Sequence, residues 1–315
     1  MNDADRNQGN VTEMRRWVAL VTLLATGMLT LAATPRPAAQ EPETLTIQTM
    51  DVRENLYVIS GGGGQTAALV TAEHGVVLVD TKLAGLGRSI IEAVQAITDQ
   101  PISTIINTHT HGDHVEGNLD FPATVEIVAH ENTAANMARM ETFTGGASEF
   151  LPNRTFGEAL TLFEGRDQID LYYVGAGHTD GDTIVVFPAL GVAHVGDLFA
   201  VRGTPIIDVS NGGSGVAYPD TLDRALATID GVSRVIPGHI TPPAGSPIRE
   251  WASWDDLREH ARFNRDFLDA VRAALEGGRS VDQAVISLDL QARYPGYEMD
   301  RARANVQAIY DELGQ

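Results

Sequence analysis

The chain has no cysteine in its 315 residues. This excludes disulfides, thiolate metal ligands and a lipid anchor attached through cysteine, so a bound metal must rely on imidazole and carboxylate. Basic residues are scarce: 22 Lys and Arg stand against 42 Asp and Glu, a net charge of −20. So acidic a surface repels phosphate backbones and anionic lipid, which argues against nucleic acid as a partner and favours solubility. There is no repeat of fixed period. With 43% hydrophobic and 20% charged residues, the body is an ordinary globular protein, neither disordered nor fibrous. The run Gly61 to Gly64 is followed by a strand and by no Gly-Lys-Ser/Thr, so it reads as a flexible hairpin tip and not as a phosphate loop.

Only one long apolar run occurs, WVALVTLLATGMLTLAA at Trp17 to Ala33, after Arg15 and Arg16 and before TPRPAAQEPE. The pattern is that of a secretory signal peptide over residues 1–39, cut after Ala39, with Met14 an alternative start. Its 17 residues touch the lower limit for a spanning helix. An uncleaved anchor is therefore the alternative, and the only route to a stable membrane association. The small residues and prolines that follow favour cleavage and export, most simply to a periplasm. Cleavage removes four arginines and three acidic residues, leaving 18 basic against 39 acidic, a net of −21.

From about Leu45, short apolar runs alternate with turn residues. ENLYVIS, TAALVTAE and VVLVDT read as three strands joined by tight turns. RSIIEAVQAI has helical spacing, and STIINT reads as the next strand. VEIVAH, ALTLF, QIDLYYVGAG, TIVVFPA, GVAHVG and SRVIPG continue the strands, ENTAANMARM and TLDRALATID are helices, and Thr144 to Arg154 is a loosely patterned loop. The class is α/β with mixed sheets over residues 40–250. From Trp251 no strand-like run remains. WDDLREHARFNRDFLDAVRAAL and DRARANVQAIYDEL are amphipathic helices with breaks at Gly277-Gly278 and Pro295-Gly296, so residues 251–315 form a helical extension.

The stretch NTHTHGDHVEGN at 107–118 places three of the chain's 9 histidines within six positions. His109 and His111 alternate along an extended segment, so both point to one side, and a turn at Gly112 brings Asp113 and His114 to the same space. One stretch cannot enclose a metal alone. Four predicted strands end at ligand-type residues: His109, His178, Asp197 and His239. Loops beyond strand ends converge at one edge of an α/β sheet. Five histidines and two aspartates there exceed the needs of one tetrahedral zinc and suit two metals sharing a ligand.

The order H-x-H-x-D-H, G-H-T, G-D-L-F, P-G-H resembles the metallo-β-lactamase superfamily over roughly residues 45–245. The resemblance implies a four-layer αβ/βα sandwich, here with a C-terminal helical appendage, and two Zn²⁺ per chain. It implies His109, His111 and His178 on one zinc, Asp113, His114 and His239 on the other, and Asp197 bridging. Two such cations lower the pKa of a shared water from 15.7 to about 7, making hydroxide available to attack a carbonyl. Asp113 is the residue expected to orient that nucleophile. No side-chain general acid is evident, which leaves a metal-bound water to protonate the leaving group.

Familiar lactamases lack an aspartate at the position of Asp197, one branch using cysteine there, whereas Asp197 is similar to the hydroxyacylglutathione hydrolases and lactonases. Export favours the lactamases. The expected activity is hydrolysis of an amide, ester or lactone in a small molecule, β-lactam hydrolysis being the best named one and lactonase or thioesterase the nearest alternative. A phosphodiesterase is disfavoured by the acidity, and a redox di-iron role by His111, where that branch has glutamate. A non-catalytic scaffold is disfavoured because all seven ligand positions are filled.

Around the ligands, Asp80 ends a strand and is either an acceptor for a ligand histidine or a turn former. Thr108, Thr110, Thr179 and Asp182 flank ligands and are expected to orient them, while Asn118, opening no helix of its own, is expected to tie the ligand loop to its neighbours. Lys82 and Arg202 are candidates to pair with a substrate carboxylate. The hairpin at Gly61 to Gly64 and the loop NGGSGVAYP, with Tyr218, are candidates to line the mouth. His74 reads as an exposed turn histidine, His130 as a helix cap or strand end, His194 as packed, and His260 as solvated on a helical face.

Overall fold

The computed structural model describes residues 46–49, 55–200, 202–239 and 251–314. The apolar segment at 17–33 and its cleavage point lie outside the described residues. No helix among the described residues is long and apolar enough to cross a membrane.

Residues 44–315 form one compact unit built on two mixed β-sheets. The first sheet runs β1 (Thr46–Thr49), β2 (Leu56–Ser60), β3 (Thr66–Val70), β4 (Val76–Val79), β5 (Ile102–Asn107), β6 (Glu126–His130) and β7 (Arg154–Phe156), in that spatial order. Pairing is antiparallel up to β4 and parallel from β4 to β7. The second sheet has the order β13 (Ala252–Ser253), β12 (Arg234–Ile236), β11 (Val192–His194), β10 (Thr183–Phe187), β9 (Ile169–Tyr173) and β8 (Ala159–Leu162). Only β11 and β12 pair parallel in it.

The helices are α1 (Gly87–Gln95), α2 (Gly112–Val115), α3 (Glu131–Met137), α4 (Tyr218–Thr228), α5 (Trp254–Glu276), α6 (Val281–Ser287) and α7 (Ala302–Leu313). Strand β4 shows why the layers form. Its four residues are all buried, Val77 and Val79 facing the second sheet while Val76 and Leu78 face α1. A strand covered on both faces needs an uninterrupted apolar run, and VVLV supplies one. Between the sheets Leu56, Val58, Leu69 and Ile106 meet Leu171, Val185, Phe187 and Ile236. The outer face of the second sheet, Ile184, Val186, Ala193 and Val235, packs on Leu222 of α4 and on Trp254, Leu257 and Ala261 of α5. The result is a helix–sheet–sheet–helix sandwich, with a helical C-terminal segment.

Three strands escape the sequence reading. β1 and β7 are too short for an alternating signal, and Ala252–Ser253 adds a two-residue edge strand where only helix is expected. Helix α5 is both the sandwich's outer layer and the start of the extension. Its first half packs on the second sheet, and its second half, Phe263 to Ala274, packs on α6 and α7. Capping boxes at Ser253/Asp256 and Ser280/Gln283 start α5 and α6. The expected break after α5 is present, with Gly278 at φ 69°.

Candidate metal centre

The loops after β5, β9, β11 and β12 meet at one edge of the sandwich and bring all seven expected residues into two groups. His109, His111, His178 and Asp197 form one, and Asp113, His114 and His239 the other; within each, the ligand-type atoms lie within 4.8 Å of one another. Asp197 faces both groups. Its Oδ2 lies 3.7 Å from His178 Nε2 and 3.5 Å from His239 Nε2, and its Oδ1 lies 3.4 Å from His114 Nε2. His239 Nε2 lies 3.3 Å from Asp113 Oδ2 and 3.3 Å from His114 Nε2. Only the side chains of His111, Asp113 and His239 are appreciably exposed, at 26%, 31% and 29%, so the centre opens to solvent over these three.

The outward-facing ring nitrogens of four histidines have partners that set their tautomers. Carboxylates and carbonyls only accept, so His111 Nε2 donates to Asp208 Oδ2 (2.7 Å), His178 Nδ1 to Ile206 O (2.9 Å) and His114 Nδ1 to Asp80 Oδ2 (2.7 Å). Thr108 Oγ1 donates to Asp80 Oδ2 and therefore accepts from His109 Nδ1 at 3.0 Å. In its neutral form each ring thus turns an unprotonated nitrogen toward its group, the form a metal requires. Among the described residues, His109 Nε2 is buried with no hydrogen-bond partner, and Asp197 Oδ1, also buried, has nothing closer than His114 Nε2 at 3.4 Å. A buried acceptor left unpaired costs about 1–3 kcal/mol. These two atoms facing a cluster of further acceptors suit a cation between them, so the donor set fits metal.

In the bare protein these charges act on one another. Burial pushes the His114 imidazole down, but the Asp197 and Asp80 carboxylates outweigh it and hold its pKa well above the usual value. His239 behaves likewise: burial opposes, and the Asp113 and Asp197 carboxylates raise it to about 9. Burial lowers His178 to about 4 and His109 well below its ordinary value, the neighbouring histidines adding to the effect. Asp197, despite burial, is held well below the carboxylate range by His114 and His239.

The residues flanking the ligands mostly act as supports. Asp80, at φ 61°, accepts from Thr108 N and Oγ1 as well as from His114, so it is an acceptor for ligands and not a simple turn former. Asn118 accepts from Thr81 Oγ1 and donates to Asn107 Oδ1, tying the ligand helix to two strand ends. Asp182 accepts from Thr179 N and Oγ1 and closes the turn after His178. Thr110 Oγ1 meets only the Met140 sulfur, at 3.7 Å.

Five expectations fail. Lys82, the chain's only lysine, is fully buried and donates from Nζ to Gly64 O at 2.6 Å, so it braces the hairpin and does not meet a substrate. Arg202 turns to helix α5 and pairs with Asp256 and Glu259. Tyr218 is buried beneath the site and donates to Asp197 O and Leu198 O. The glycine hairpin is no free tip: a Cβ on Gly64 would lie 2.3 Å from His114 Cε1, and Gly64 N donates to Asp113 O. Its glycines serve close approach to the ligands. His260 is 1% exposed, stacked among Phe199, Phe263 and Tyr297. Of the other histidines, His74 is exposed and stacks on Phe163, His130 caps α3 through Nδ1, and His194 is packed.

Against this geometry the comparisons are decisive. A family model described as the Metallo-beta-lactamase superfamily matches residues 60–256, well over half the chain. The chain belongs to the metallo-β-lactamase superfamily. It is 34% identical over 144 residues to the 2,4-dinitroanisole O-demethylase subunit alpha of Nocardioides sp. (strain JS1661), covering 44% of this chain and 42% of that one. It is 23% identical over 175 residues to a metallo-beta-lactamase type 2 of Bacteroides fragilis, covering 54% of this chain and 67% of that one. It thus spans less than half of the first relative's length. Among solved structures, a metallo-beta-lactamase from Pontibacter korlensis superposes with a TM-score of 0.58 at 19% identity, over 70% of this chain and 99% of that one. The sec-alkylsulfatase Pisa1 from Pseudomonas sp. gives 0.65 at 14% identity, over 85% and 50%. Both show the fold of the superfamily, whose zinc-dependent hydrolases carry His/Asp clusters of the kind this chain assembles.

Asp208 escapes the sequence reading. Its signal was local: Asp followed by Ser and Asn two and three residues on marks an Asx-type turn, and Asp208 accepts from Ser210 N and Asn211 N. Nothing in that turn signature points to a histidine 97 residues away.

Proposed function

We propose that the chain is a dinuclear zinc hydrolase that cleaves an amide, ester or lactone bond in a small molecule, with β-lactam hydrolysis as the leading named activity. The observation that carries this reading is the buried Asp197 carboxylate, placed between two groups of ligand atoms and facing both. His109, His111 and His178 would hold one zinc and Asp113, His114 and His239 the other, with Asp197 shared. Bound there, the metals supply Lewis acidity that makes water nucleophilic at neutral pH and polarises the substrate carbonyl. The chain itself positions the reactants. Asp113, at the open side of the centre, orients the attacking water through its carboxylate, and Asp197 keeps the two groups in register. Asp80 and Asp208 fix the ring planes, and the Gly61–Gly64 hairpin excludes water from the back of His114. The leading apolar segment of the sequence supports export as the setting.

A second reading, hydrolysis of alkyl sulfate esters, is favoured by the extent of one match. The sec-alkylsulfatase covers 85% of this chain against 70% for the lactamase from Pontibacter korlensis. A linear primary-alkylsulfatase from Pseudomonas is also 28% identical over 107 residues. The test is a panel on zinc-loaded protein: a chromogenic cephalosporin, an acyl-homoserine lactone, an acyl thioester and an alkyl sulfate. Turnover of any carbonyl substrate that disappears in His109→Ala and His239→Ala supports the proposal. Turnover of the sulfate alone moves the assignment, and inertness across the panel with zinc bound favours a non-catalytic scaffold.

A further inference from the structure

We propose that Asp208 is the positioning residue of the first metal position, fixing His111 in the orientation and tautomer that zinc binding there needs. The inference rests on reading the two clusters as metal sites.

His111 lies on the open side of the centre, and its backbone sits in extended conformation ahead of α2 (φ −71°, ψ 143°). An imidazole so exposed has a free ring rotation unless something outside the cluster holds it. Asp208 Oδ2 accepts a hydrogen bond from His111 Nε2 at 2.7 Å, which leaves Nδ1 facing His178 Nε2 at 2.9 Å. The carboxylate is itself held from four sides: by Ser210 N and Oγ and by Asn211 N and Nδ2. The same turn reaches the neighbouring ligand. Asp208 N donates to His178 O at 2.9 Å, and Ile206 O accepts from His178 Nδ1 at 2.9 Å. One loop, 206–211, therefore orients two of the three histidines of the first position. Among the described residues it makes no hydrogen bond to Asp113, His114 or His239, and His114 is oriented by Asp80 instead.

A carboxylate that accepts from a ligand histidine raises ring basicity and fixes the tautomer, and its loss costs about 10–100-fold in metal affinity. Because Asp208 and its loop touch ligands of the first position alone, the loss should fall on that position.

The experiment is zinc binding to metal-free protein by competition with a chromophoric chelator, for wild type, Asp208→Asn and Ser210→Ala. Far-UV circular dichroism and thermal melting of the metal-free proteins verify folding. Asp208→Asn is expected to weaken one of two zinc-binding steps by about 10–100-fold while the other step stays within about threefold. Ser210→Ala, which touches Asp208 but not His111, is expected to leave both steps within about threefold. In cobalt-loaded protein the d–d absorption of one site alone should change in Asp208→Asn. Equal weakening of both steps, no change in either, or the same loss in Ser210→Ala would overturn the proposal, the last by assigning the loop a merely structural role. Absence of zinc binding by the wild type would instead sink the dinuclear reading and this inference with it.

Discussion

At the scale of single residues, small groups decide whether the centre can form. Gly64 has no room for a side chain, because an added methyl would press on the His114 ring. Gly238 is tighter still, an added Cβ falling 1.9 Å from Asp197 Oδ1. Gly64→Ala is predicted to cost at least tenfold in kcat/KM and to lower zinc content, read by steady-state kinetics and metal analysis on protein that remains folded. Unchanged zinc and activity would mean that the hairpin does not sit on the ligands. Lys82 gives a chemical check on the same hairpin. As the only lysine, and buried, it is predicted to resist an N-hydroxysuccinimide ester in the native state and to react after denaturation. Peptide mapping showing fast native labelling of Lys82 would contradict its place under Gly64.

At the scale of elements, the ligand-bearing strand ends were legible because each combines an apolar run with a glycine or turn and then a ligand-type residue. STIINT before His109 and GVAHVG before Asp197 are the clearest. Short edge strands and acceptors drawn from distant loops were not legible. Nothing local marks Ala252–Ser253 as a strand or Asp208 as the partner of His111, since both follow from where the chain returns in space. Helix α5 misled for a related reason. Its mixed charges suggest a solvated face for His260, yet it packs on the second sheet with one half and on α6 and α7 with the other, and His260 falls on the buried face.

That burial has a consequence for acid stability. Burial, with Arg202 adding to it, lowers the His260 pKa from 6.5 to about 3. Between those values the unfolded chain takes up a proton that the folded chain refuses, so stability is full above pH 6.5 and falls as pH drops toward 3. His260→Phe, which fits the surrounding aromatic cluster, is predicted to gain on wild type progressively from pH 7 to pH 4 in urea midpoint. A constant difference across that range would contradict it. The cap of α5 supplies an independent check: Ser253→Ala is predicted to cost about 1 kcal/mol in equilibrium unfolding.

For the whole molecule, four loops from two sheets converge on one cluster of histidines and aspartates, in which a bound metal would displace the protons that His114 and His239 hold in the bare protein. Among the described residues the buried His109 Nε2 lacks a partner, a cost that bound metal would offset. Ligand binding to the folded state alone raises stability by RT ln(1 + [L]/Kd), about 4.1 kcal/mol at a thousandfold excess over Kd. Chelation should therefore lower the melting temperature, and zinc should restore it. The most direct measurement is metal content of the purified protein by plasma mass spectrometry, paired with hydrolysis before and after chelation. The prediction is close to two zinc ions per chain, with activity lost on their removal and recovered on their return. A metal-free protein with undiminished hydrolysis would contradict it.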